Sequence, residues 1–181
     1  MTRLLLALCG ALALAACAGT ETETVSVTTA RTETETVTET ETVAEPVGLP
    51  PEVAATHAAL LEAARSGDYE ALRPLIPDEF SYTFGGAVQG GPIAYWQQLE
   101  EESGESPIEI LARILELPYT LAAGTYIWPF AYDKQQEELS DYERELLGDL
   151  ADAYSGAGSG YLGWRAGIEP DGAWSFFIAG D

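Results

Sequence analysis

Hydrophobic and polar positions divide the chain into three stretches with different periods. Residues 4–16 are almost continuously apolar, residues 20–43 alternate Thr with Glu, and helical and strand periods appear only from about residue 50. Val53, His57, Leu60, Leu61 and Ala64 follow helical spacing, and Gly67 stops that helix. Asp68 is placed to cap a short second helix carrying Tyr69, Leu72, Leu75 and Ile76, which Pro77 ends. Phe80 to Phe84 alternates aromatic with polar residues and predicts a strand running into Gly85-Gly86. Pro92 opens a third helix with Ile93, Trp96 and Leu99 on one face, closed by Gly104.

Ser106-Pro107-Ile108-Glu109 predicts a capping box with proline at the first helical position, and Ile108, Leu111, Ile114 and Leu115 form the apolar stripe behind it. Thr125 to Tyr132 is β-prone, and Pro129 restricts it to an edge or to a strand that stops there. A second capping box, Ser140 to Glu143, opens a helix with Leu146 and Leu150 on its apolar face. At the C-terminus Leu162, Trp164, Ala166 and Ile168 alternate, then Trp174, Phe176 and Ile178, with Glu169-Pro170-Asp171-Gly172 between them as a hairpin turn. Helices followed by a C-terminal antiparallel sheet define an α+β domain over residues 50–181.

The apolar stretch ends on Leu14-Ala15-Ala16-Cys17, preceded by Arg3 as its only positive charge. Leu4 to Ala16 is too short to span a hydrocarbon core of about 30 Å as a permanent helix, and predicts a signal peptide over residues 1–16. A branched apolar residue, two small residues and a cysteine make up a lipobox, so the N-terminus resembles that of bacterial lipoproteins. The resemblance implies that Cys17 receives a diacylglycerol and becomes the mature N-terminus. It also implies anchorage in the cell envelope, on the outer face of the cytoplasmic membrane or on the outer membrane. Ala18 in place of an aspartate after the cysteine is compatible with outer-membrane sorting. Two or three acyl chains bind firmly where one binds marginally.

Between Cys17 and the domain, Thr20 to Val25 is a hexad of alternating Thr and Glu closed by Val, and it recurs as Thr32–Val37 and Thr38–Val43. Glutamates spaced by two repel one another and threonine is a poor helix former. Residues 17–49 are therefore expected to be a disordered linker, with a reach on the order of 80 Å when extended.

Charge narrows the partners. The formal net charge is −22, from 30 acidic against 8 basic residues, with Lys134 the single lysine. Such a surface repels nucleic acid and is not drawn to anionic lipid, so membrane attachment falls to the lipid anchor. Cys9 lies within the leader, which leaves Cys17 as the one cysteine of the mature chain, with no disulfide framework, thiol pair or cysteine metal site. No cofactor or metal motif occurs.

The run from Ala63 to Leu72, Ala-Ala-Arg-Ser-Gly-Asp-Tyr-Glu-Ala-Leu, resembles the helix-turn-helix opening of NTF2-like (SnoaL-type) domains, which often close on a hairpin like the one ending this chain. The resemblance implies a cone-shaped sheet with a pocket. Tyr82, Trp96, Tyr126 and Trp128 are then candidate pocket aromatics suited to an apolar or sugar-like ligand. Arg165, one of few cations, is either an ion-pair partner or an anchor for an anionic ligand. His57, the sole histidine, is the candidate catalytic residue, although its place on an apolar stripe equally suits a hydrogen-bonded core position. Three functions follow as expectations. The first is a noncatalytic envelope lipoprotein binding a small molecule or an envelope protein. The second is an NTF2-like enzyme with His57 or a pocket carboxylate as general base. The third is a structural or interaction role at the cell wall, acidic surface against basic partner.

Overall fold

The computed structural model describes residues 48–180; residues 1–47, with the predicted signal peptide, Cys17 and the Thr/Glu tract, lie outside the described residues, as does Asp181. The described part is α+β, five helices and a four-stranded antiparallel sheet of order β1-β2-β3-β4.

Helix α1 (Pro51–Ser66) starts on proline, whose missing N–H costs nothing in a first turn, and ends on Gly67 in the left-handed region at φ 68°. Asp68 then caps α2 (Tyr69–Leu72) by accepting from the Glu70 N–H at 2.9 Å. That helix is shorter than its apolar spacing predicts. Pro74 removes a donor, and the chain tightens into a 3₁₀ turn over Arg73–Leu75.

Helices α3 (Gly91–Ser103) and α4 (Pro107–Leu115) follow. On α4, Ile108, Leu111, Ile114 and Leu115 are 0–3% exposed, and burying each contributes about 1.5–3 kcal/mol. The capping box predicted at Ser106 does not form; the Ser106 side chain makes no cap. The buried Tyr69 hydroxyl lies against that helix end instead, accepting from the Ile108 N–H at 3.4 Å while donating to Glu100 at 2.7 Å. One phenol thus ties α2, α3 and α4 together.

β1 (Thr120–Ala122) and β2 (Thr125–Trp128) form a hairpin whose two loop residues, Ala123 and Gly124, both have positive φ. β2 stops at Pro129, as its sequence predicts, and lies inside the sheet between β1 and β3. β3 (Arg165–Ile168) and β4 (Trp174–Ile178) close the sheet. Gly172 bonds back to Glu169 at 2.8 Å, and Asp171 accepts from the Ala173 N–H. A bulge opposite Gly167 and Ile168 changes the predicted alternation: Ile168 pairs with Trp174 but Gly167 with Phe176. One residue is skipped, so Trp174 and Phe177, rather than Trp174, Phe176 and Ile178, share the buried face. The strand predicted over Phe80–Phe84 reduces to a single bridge between Ser81 and Phe176. Local bonds explain this, since Thr83 accepts from the Gly85 N–H and the Tyr82 hydroxyl from the Val88 N–H, turning the chain before a ladder can form.

The core lies between α1, α3 and α4 and the sheet face carrying Trp128, Ala166, Ile168, Trp174 and Phe177. Residues 129–164, inserted between β2 and β3, build a second, smaller core from Phe130, Leu139, Leu147, Tyr154 and Tyr161. Helix α5 (Asp141–Leu147) opens with the predicted capping box, in which the Ser140 hydroxyl and the Glu143 carboxylate each cap the other's backbone. Its buried leucine is Leu147, one position from the predicted Leu146.

Candidate functional site

The aromatic residues expected to line a pocket fill the core instead. Trp96 and Trp128 are 0% and 1% exposed. Trp96 meets Phe80, Trp174 and Phe177 ring to ring at 5.4–6.0 Å, and Trp128 is stacked on His57 at 4.9 Å. Tyr126 is half-buried beside Tyr119, and Tyr82 holds the 85–88 loop through its hydroxyl. His57 joins α1 to the end of α4: its Nε2 lies 2.8 Å from the Leu115 carbonyl, which only accepts, so this nitrogen carries the proton. Arg165 donates to the carbonyls of Gly163 and Gly180, and its guanidinium lies over the rings of Phe84 and Tyr132 at 5.6 and 5.8 Å. The four aromatics thus belong to or pack against the one main core, with Arg165 on the opposite sheet face from Trp128. Cys17 lies outside the described residues. Among the described residues no group of His, Cys, Asp and Glu is arranged to hold a metal ion, and no helix is long and apolar enough to cross a membrane.

A different site is built where the second core meets α4. The approach to β3 supplies its floor with Tyr161, Gly163 and Trp164. Ile110 and Arg113 of α4 form one wall, and the 3₁₀ segment after α5 forms the other with Asp149, Leu150, Asp152 and Ala153. Glu105 completes a cleft of about 260 Å³. A bridge to Tyr154 and the 5.5 Å contact between the Tyr154 and Tyr161 rings fix Tyr161. Its hydroxyl folds over Gly163, occupying the space a Cβ there would need.

This hydroxyl is the site's distinguishing group. Tyr161 is 3% exposed, and its oxygen is buried with no hydrogen-bond partner, whereas the neighbouring Tyr154 donates to the Ala131 carbonyl at 3.0 Å. A buried hydroxyl left without a partner costs about 1–3 kcal/mol. Burial, with a smaller push from Tyr154 and opposed by Arg165 and Arg113, raises its pKa to about 12. At physiological pH it is a neutral donor. The indole N–H groups of Trp96 and Trp174 are also unpartnered, but both sit inside the close-packed main core.

Arg113 bonds to Asp149 across the mouth, and that hydrogen bond holds the Asp149 carboxyl below its ordinary range. Arg113 and Leu150 also line a second cleft of about 290 Å³, with Glu116, Leu117, Leu146 and Leu147, so the ion pair stands between two adjoining hollows. Sequence reasoning assigned no role to Tyr161 or Gly163. The available signal was their spacing: an aromatic two residues before a glycine on one face of an extended segment has room to fold over it.

Comparison with known proteins returned no match: no family model fits the chain, and no curated protein or solved structure is significantly similar to it.

Proposed function

We propose that this chain is a cell-envelope lipoprotein, anchored through acylated Cys17 and spaced from the membrane by its Thr/Glu tract, whose α+β domain binds a small molecule without transforming it. The observation that carries the binding reading is the Tyr161 hydroxyl, buried, neutral and unpartnered on a residue that lines the cleft. An orphaned polar group at the wall of a hollow is satisfied when a ligand supplies the acceptor. The noncatalytic reading is favoured over an enzyme with His57 as general base, because His57 commits one nitrogen to Leu115 and a ring face to Trp128; a cleft carboxylate as general base is the alternative. The resemblance to NTF2-like domains stays a proposal alongside it, supported by the helix–turn–helix opening at Gly67-Asp68 and the closing hairpin.

Labelling cells with a radioactive fatty acid tests the anchor. Label is expected on the wild-type chain and on Tyr161→Phe, and absent from Cys17→Ser. Label that persists in Cys17→Ser contradicts the anchorage.

A further inference from the structure

Three features of the Tyr161 cleft each select one part of a ligand. Tyr161 lines the cleft, and its hydroxyl is a buried donor without an acceptor, which selects a carbonyl or hydroxyl oxygen. Along the walls Ile110, Leu150 and Ala153 offer only apolar contact. At the mouth stand three carboxylates and one guanidinium. Asp149 is paired with Arg113, while Glu105 and Asp152 are exposed and have no ion-pair partner among the described residues. An anion entering there meets two unpaired carboxylates, and the one cation beside them already shares a hydrogen bond with Asp149. A cation meets attraction without breaking any contact, and the net charge of −22 adds to the same preference at longer range.

We infer that the cleft takes a small ammonium-bearing molecule, with a short apolar body and a hydrogen-bond acceptor at the end remote from the charge. This rests on the ligand-binding reading above and adds its chemical class. The size fits: about 260 Å³ lies just under the ~300–1,000 Å³ common for small-molecule sites, so a short-chain compound fills it.

Three probes of one length separate the class from the site: 6-aminohexanamide, heptanamide and adipamic acid, which share an amide and differ in a terminal ammonium, methyl or carboxylate. Each is titrated at millimolar concentrations into the ¹⁵N-labelled full chain, reading the Gly163 backbone and Trp164 indole signals. The ammonium compound is expected to bind tightest and the carboxylate weakest, with the preference shrinking in high salt. Tyr161→Phe is expected to weaken the ammonium compound about tenfold, the worth of one buried hydrogen bond. Equal binding of all three, or a preference for the carboxylate, overturns the cationic class and leaves the cleft as a binding site. No saturable shift with any probe, or binding undiminished in Tyr161→Phe, overturns both.

Discussion

The hydroxyl of Tyr161 occupies the space where a Cβ on Gly163 would stand. The two residues are two apart in sequence, and the absence of a side chain at the second lets the first lie flat beneath the cleft. Gly163 is not in a left-handed conformation, so its role is to leave volume rather than to permit an unusual backbone.

Gly163→Ala therefore tests sterics alone. Its methyl group would overlap the Tyr161 ring end and come within 2.8 Å of the Ala153 Cβ, and neither neighbour is the loose end of a flexible side chain. Denaturant unfolding of the full chain is expected to register a loss of about 1–3 kcal/mol, the usual cost of overpacking. Gly160→Ala is the control, since a Cβ there meets nothing within 4 Å, and it should unfold close to the wild type.

Acid stability should depend on Glu143, a 5% exposed carboxylate in the second core. Burial by itself raises its pKa. The opposing bonds, from Lys134 at 2.5 Å and from the Ser140 N–H and hydroxyl, outweigh burial and bring the pKa below its ordinary 4.5. A depressed folded-state pKa contributes stability that is present above pH 4.5 and lost as pH falls through the lower folded value. Glu143→Gln should then cost about 2 kcal/mol at pH 7, the worth of hydrogen bonds to a charged acceptor. The gap from wild type should narrow steadily below pH 4.5, as unfolding curves at a series of pH values would register. A gap that is constant with pH contradicts the assignment.

What was legible in the sequence was local. Gly67 and Asp68, the Ser140–Glu143 box and the Pro170-Asp171-Gly172 turn act through bonds spanning two to four residues, and each stands where its pattern put it. The stop at Pro129 is legible for the same reason: a residue without an N–H cannot extend a ladder on both sides. Features decided by competition were not. Ser106 loses its cap to a tyrosine from another helix, and Phe80–Phe84 gives up its ladder to bonds from Thr83 and Tyr82. The bulge that brings Phe177 inward depends on a cross-strand register that no single strand encodes. The cleft was hidden altogether, because it assembles from 105–113, 149–153 and 161–164, three segments that share no pattern.

The measurement closest to the central claim is the stability of Tyr161→Phe in the absence of any ligand. If the hydroxyl is held without an internal partner, for use by a ligand, its removal relieves an unsatisfied buried group while the ring and its packing remain. Urea unfolding of the full chain should then give a midpoint equal to or above that of the wild type. A loss of more than about 1 kcal/mol would mean that the hydroxyl is bonded within the fold, and would contradict the account.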